Sequence, residues 1–310
     1  MSYPQVTLIV VPNQCFNYTQ QSLESIYKYT DIPFKLIYVD GYSPSKVNQY
    51  LEVQSQKKGF RLIRTEKYVS PNQARNIGLK HVDTEYVVFI NNDVLVTADW
   101  LNNLMRCAQK NSASAVIPIC LQGTVENLAI HSAGGCLEFQ YRDGNLDLFE
   151  ERSFVKNYFD KVQPLLKCKP TQLIDLSCVL VHRHTLNKIG KLDENLISFG
   201  QDIDFSLSLF AVGGTIYLEP ESIINYLPVT ELKLSDMPYY LLIWNYVWKR
   251  KSINYFQQKW GLAKDAQFIN DAFRQIKQDA NLPVRSLNEL TKWLYVNEGY
   301  DTNRRIFKRS

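Results

Sequence analysis

The chain has no uninterrupted apolar stretch of membrane-spanning length, and its opening run, Val6 to Val11, is only one strand long. An integral membrane protein is therefore not expected. Its six cysteines, Cys15, Cys107, Cys120, Cys136, Cys168 and Cys178, form no Cys-x-x-Cys pair, and no histidine stands at zinc-finger spacing. With no signal peptide read at its start, free buried thiols in a reducing, cytosolic setting are expected rather than a disulfide framework or a zinc site. Charge of one sign is also scarce. The net charge is +4, and the only basic clusters are Lys249-Arg250-Lys251 and Arg304-Arg305 with Lys308-Arg309. That is too mild a balance for nucleic-acid binding. Glycine is missing where nucleotide-binding loops need it, since Pro12-Asn13-Gln14-Cys15-Phe16 follows the first strand. A dinucleotide fingerprint, a Walker loop and the glycine-rich, basic loop of a nucleotidyltransferase are all absent.

What is present is a large apolar content. At 45% hydrophobic, 310 residues can bury the core of one large or two ordinary domains. Val6 to Val11, Phe34 to Val39, Phe60 to Arg64 and Tyr86 to Ile90 read as strands. Helix-length segments separate them, the pattern of a parallel α/β sheet. Tyr18 to Tyr29, Pro44 to Lys57 and Asn72 to Lys80 are amphipathic at helical spacing. After Pro118 the pattern loosens into glycine and charge, a long excursion over the active face, before a second core run from Ile174 to His182. Gln201 to Val212 predicts a helix and Thr215 to Leu218 a returning strand, so the fold should close near residue 230. From Pro238 onward the chain reads as helical and aromatic.

Three acids stand where chemistry is expected. Asn91-Asn92-Asp93 must emerge at the carboxyl end of a buried strand, the edge at which ligands sit in open α/β sheets. A carboxylate there can hold a hard cation against nucleotide phosphates, although the same three residues also read as a polar turn capping the next helix. Asp40 closes the second strand, able to accept from a base N–H or to serve as a turn acid before Gly41. Asp202 and Asp204 alternate at a helix start, where Asp202 reads either as a cap or as a general base. Gly200 before it would permit close approach of substrate. Arg75 could reach a diphosphate or simply solvate a helix face.

In combination, Val6-Thr7-Leu8-Ile9-Val10-Val11-Pro12, Leu23-Glu24-Ser25-Ile26, Tyr38-Val39-Asp40, Ala74-Arg75-Asn76-Ile77-Gly78, Asn91-Asn92-Asp93 and Gly200-Gln201-Asp202-Ile203-Asp204 resemble family 2 glycosyltransferases in order and spacing. Leu192-Asp193-Glu194-Asn195 is similar to the segment before that family's acceptor helix, and Phe256-Gln257-Gln258-Lys259-Trp260-Gly261 to its tail. The resemblance covers most of residues 4 to 227. It implies the A-type glycosyltransferase fold: a nucleotide-binding, Rossmann-like αβα sandwich with a mixed central sheet, residues 1–120, joined to an acceptor half, 121–230. A helical C-terminal extension, 231–310, would follow.

The implied activity is inverting transfer of a sugar from a nucleotide diphosphate sugar, UDP or dTDP favoured, to a hydroxyl of a saccharide or lipid-linked glycan, as polysaccharide biosynthesis requires. By the same resemblance Asp202 is the catalytic base and Asp93 the metal carboxylate for manganese or magnesium. Pro12, Asp40, Arg75, Asn92 and Asp93 would bind the donor. The sequence departs from the family at Asn91, at Gln201 and at Tyr226, which falls where a histidine is common. A non-catalytic nucleotide- or glycan-binding subunit of the same fold is the alternative. Met237 to Lys251 has the composition of a helix at a membrane interface, so a cytoplasmic protein with peripheral membrane contact, or a homo-oligomer, is compatible with the sequence.

Overall fold

The computed structural model describes residues 5–124, 127–142, 144–230 and 232–280. The basic residues Arg304 to Arg309 lie outside the described residues. Strand β1 (Val6–Val11), helix α1 (Thr19–Tyr29), β2 (Phe34–Asp40), α2 (Ser45–Lys58), β3 (Arg61–Arg64), α3 (Pro71–Leu79) and β4 (Tyr86–Asn91) form the first half. β1 pairs in parallel with both β2 and β4, and β3 extends β2 in parallel. β1 and β4 are buried along their whole length, which is why they read as continuous apolar runs instead of alternating ones. α3 begins with a capping box between Ser70 and Gln73, with Pro71 at its first position. Gly78 lets that helix lie directly on the sheet, since a Cβ there would stand 2.5 Å from Ile9.

The chain continues through β5 (Val94–Val96), α4 (Trp100–Asn111) and β6 (Ala115–Gln122), and then through β7 (Ala129–Ser132) and a separate hairpin of β8 (Gly135–Arg142) and β9 (Asn145–Arg152). α5 (Phe159–Val162), β10 (Lys169–Thr171), β11 (Cys178–His182), α6 (Arg183–Ile189), α7 (Gln201–Ala211) and β12 (Ile216–Tyr226) complete the sheet. Its main path runs β10-β12-β6-β11-β4-β1-β2-β3. The sheet is mixed, because β11 enters between β4 and β6 antiparallel to both. The sequence run Thr215 to Leu218 therefore shows only the first part of an eleven-residue strand, whose remainder is interrupted by a bulge between Glu219 and Ile223. Proline and two glutamates in that bulge break the apolar pattern a strand is read from.

Two apolar layers sandwich the sheet, with Leu8, Val88 and Trp100 on one face and Ile9, Phe89 and Phe205 on the other. Helix α8 (Met237–Ile243) packs Tyr239 and Ile243 against Phe16, while the C-terminal helices α9 (Tyr246–Lys259) and α10 (Gln267–Ala280) add a third core with the β8–β9 hairpin and α7, centred on Phe256, Ile253 and Ile269. The apolar side of α8 is spent inside the protein, with Tyr239, Leu241 and Ile243 buried. Among the described residues no helix is long and apolar enough to cross a membrane. Cysteines 15, 107, 120 and 178 are buried free thiols, whereas Cys136 and Cys168 are exposed, against the expectation that all six lie inside.

Candidate active site

The carboxyl ends of β1, β2 and β4, the segment leading into β11 and the first turn of α7 converge on one polar centre. Asn91 is the last residue of β4, and Asn92-Asp93 turn directly into β5. They do not cap the next helix, because α4 begins seven residues later behind Asp99. Asn92 is fully buried and spends both ends of its amide on the loop after β1. It donates to the Cys15 carbonyl at 2.7 Å and accepts from the Asn13 N–H at 3.1 Å. Asn13, so fixed, donates through Nδ2 to Asp93 Oδ2 at 3.0 Å. The other Asp93 oxygen, Oδ1, is buried with no partner.

Asp175, on the approach to β11, has a similar arrangement. Its Oδ1 accepts from the Ser177 N–H at 2.8 Å, while Oδ2 is buried without a partner. Asp202 lies in the first turn of α7 but caps nothing in its own helix; its Oδ1 accepts from the Leu176 N–H at 3.0 Å. That bond ties the α7 acid to the segment carrying Asp175. Gly200, at φ 76°, is the residue before this helix, and a Cβ there would stand 2.8 Å from the Phe256 ring. Phe256 of α9 thus makes a close approach at Gly200.

Asp175 raises the pKa of both Asp93 and Asp202, adding to the effect of desolvation on each. Burial pushes Asp93 up to about 7, with Asp175 adding to the rise and Asn13 opposing it. Burial and Asp175 raise Asp202 to about 6, against the pull of Arg152 and Arg75. Arg75 is not the surface residue its helix position suggested. It is 1% exposed and donates to Asn91 Oδ1 at 2.8 Å, to the Leu176 carbonyl at 3.0 Å and to Asn72 Oδ1 at 3.0 Å. Burial lowers its pKa to about 10, while the field of Asp202, Asp175 and Asp93 keeps it cationic at neutral pH. Arg152, at the end of β9, is held above its ordinary value by Glu150 and by Asp202, against the effect of burial.

Asp40 is likewise buried. It accepts from the Ser43 N–H at 2.9 Å and pairs with Arg64. Pro12 packs over Gly41, where a Cβ would meet the proline ring at 2.7 Å. Above them Tyr239 of α8 donates to the carbonyls of Val69 at 3.2 Å and Pro12 at 3.4 Å, within an aromatic cluster of Phe16, Tyr68 and Tyr42. Tyr226, at the end of β12, bonds Gln14 and stacks on His131 with ring centroids 4.6 Å apart. A cavity of about 320 Å³ opens beside this centre, lined by Asn13, Gln14, Phe199, Gln201, Trp244 and Lys249. A larger groove, about 950 Å³, lies at the opposite edge beside Arg106 and Glu221, away from the carboxylates.

Residues 7–163 match the Glycosyl transferase family 2 profile, just over half of the chain. The chain belongs to glycosyl transferase family 2. It is 23% identical over 182 residues to the mouse (Mus musculus) inactive polypeptide N-acetylgalactosaminyltransferase-like protein 5, covering 58% of this chain and 41% of that protein. The Macaca fascicularis protein of the same name is 22% identical over 250 residues, 77% of this chain and 55% of that one. The chain thus spans about half the length of these curated relatives.

Among solved structures, GalNAc-T7 with UDP, GalNAc and Mn2+ superimposes with a TM-score of 0.57 at 16% identity, over 92% of this chain and 57% of that one. Residues 1–349 of S. aureus TarS in complex with UDP-GlcNAc give 0.53 at 13% identity, over 89% and 72%. The family 2 member described here therefore has the A-type glycosyltransferase fold.

Within that fold, Asp93, Arg75 and Asp202 meet at one centre, and Pro12 packs over Gly41, the residue after Asp40. Asn92 serves the Asn13 loop instead of facing the centre. Sequence reasoning missed Asn13, Arg152, His131 and Asp175. Only Asp175 carried a usable signal, being a lone acid inside the apolar run Ile174 to His182.

Proposed function

We propose that this family 2 member transfers a sugar from a nucleotide diphosphate sugar, uridine or thymidine favoured, to a hydroxyl of a saccharide or lipid-linked glycan with inversion. The observation that carries this reading is Asp202. It is a half-buried carboxylate with a pKa of about 6, one oxygen fixed by the Leu176 amide, at the edge of a polar cleft. A base poised near neutrality can take the acceptor proton as the acceptor oxygen bonds to the anomeric carbon. The bond from that carbon to the diphosphate breaks on the opposite face, and the leaving group keeps the electron pair. Asp40 and Pro12 would take the base, and the buried positive charge of Arg75 would favour the diphosphate end.

The unpartnered oxygens of Asp93 and Asp175 fit a hard divalent cation, manganese or magnesium, which prefers carboxylate oxygen. When bound, such a cation supplies charge neutralisation at the departing diphosphate. Tyr226 offers no imidazole, and Asn91 is bonded to Arg75, so protein ligands are few.

A second reading, a non-catalytic nucleotide- or glycan-binding subunit, is favoured by the curated relatives named inactive and by the loss of the acid at Asn91. Donor hydrolysis or transfer separates the two. Detectable turnover that Asp202→Asn abolishes supports the enzyme, and saturable donor binding without turnover supports the subunit.

A further inference from the structure

Away from the cleft, three side chains that are far apart in sequence come together behind the sheet. Cys107 sits on the inward face of α4 and is buried. Cys168 immediately precedes β10, whose Lys169 pairs with Leu218 of β12, and this register sets Cys168 beside Glu219. The two sulfurs are 3.4 Å apart, and both lie within 4.8 Å of a Glu219 carboxylate oxygen. Glu219 is buried and stands at the bulge in β12, a device that re-aims a side chain out of the strand's alternation. The Glu221 N–H within the bulge fixes its Oε1 at 2.9 Å. One helical turn beyond Cys107, the Asn111 amide donates toward both sulfurs, at 3.5 and 3.8 Å. N–H groups aimed at sulfur are the outer-shell support that metal-bound thiolates use.

We propose that Cys107, Cys168 and Glu219 form a zinc site that pins α4 to β10 and β12, separate from the sugar-transfer centre. A zinc ion at about 2.3 Å from sulfur and about 2.0 Å from oxygen needs neighbouring tetrahedral ligands roughly 3.5 to 3.8 Å apart. The triangle is close to that size. Two soft sulfurs select zinc over magnesium or manganese, and the carboxylate selects it over copper(I). Binding releases the two thiol protons to solvent. Cys168 is exposed, which leaves one side of the site open for ion entry and for a water as fourth ligand. A disulfide between the same cysteines would need an external thiol oxidant and would leave the Glu219 carboxylate only its bond from the Glu221 N–H.

The test uses the full chain, reduced, stripped with chelator and titrated with cobalt(II) followed by zinc. One cobalt per chain should bind with a thiolate-to-cobalt charge-transfer band, which zinc then removes. Cys168→Ser, at an exposed position, should abolish most of the band without unfolding the protein, and Cys107→Ser should do the same. Asn111→Ala should weaken binding roughly tenfold to a hundredfold, and Asp93→Ala should leave the band unchanged. Absence of the band, its survival in Cys168→Ser, or loss of both thiols to a disulfide in air with no metal taken up would each overturn the site.

Discussion

Asp93 is the residue at which burial and charge conflict most openly. Its native pKa of about 7 stands above the ordinary 3.8, so the folded state holds the proton more tightly than the unfolded chain does. Stability from this group is therefore full below the unfolded value and is lost as pH rises from about 3.8 through about 7. Thermal melts should show the protein more stable at the acid end of that window. Asp93→Asn, which removes the charge and keeps the shape, should raise the melting temperature at pH 8 relative to the parent and change it little near pH 4. A lower melting temperature for Asp93→Asn at pH 8 would mean that the carboxylate is satisfied in the free protein. Asp93 itself was legible in the sequence, because an acid at the end of an apolar strand has few places to go. Asp175 was passed over although it is a lone acid inside an apolar run, because a single acid between the core residues Ile174 and Leu176 does not say which cleft it faces.

At the scale of elements, the tail of the fold is clamped by a network that joins two segments 66 residues apart. Lys259 of α9 reaches Asp193 at 2.8 Å and Asp204 of α7 at 2.7 Å. Trp260 donates to Asp204 at 3.0 Å, and Tyr255 to Asp193 at 2.9 Å. The segments Leu192 to Asn195 and Phe256 to Gly261, each legible from sequence alone, are thus two halves of one contact. Their meeting could not be read, because it depends on how α9 folds back. Lys259→Met leaves both acids without this cation in a largely buried setting and should cost about 1 to 3 kcal/mol in urea denaturation. An unchanged midpoint would make the network ornamental.

The helix pair α8 and α9 makes the opposite case. Aromatic residues running into Lys249-Arg250-Lys251 suggest a membrane surface, yet Tyr239, Leu241, Ile243, Ile253 and Phe256 are buried in the protein and Lys249 lies over the Trp244 ring at 4.0 Å. With its apolar face already used, this segment should not drive sedimentation with anionic vesicles at low salt. Binding that Lys251→Glu removes would reverse that conclusion.

For the whole molecule, the order of strands and helices in the first half followed from apolar periodicity. The insertion of β11 between β4 and β6 did not, since strand direction leaves no mark on composition. The cleft that results holds two carboxylates with open lone pairs and few other protein ligands. A cation should therefore bind weakly to the free protein and well only with a nucleotide diphosphate. Calorimetry with manganese should show little heat without nucleotide and a saturating isotherm with it. Tight binding to the nucleotide-free protein would show that other ligands complete the site.

The central claim is that the half-buried carboxylate of Asp202 performs proton transfer in sugar transfer, and the pH dependence of turnover on a cognate donor and acceptor tests it most directly. Activity should fall as pH drops through about 6, where Asp202 takes up its proton. Asp202→Asn should reduce kcat roughly a hundredfold or more, with donor affinity preserved and that acid limb removed. Transfer by Asp202→Asn at the parental rate, with the same acid limb, would contradict the account.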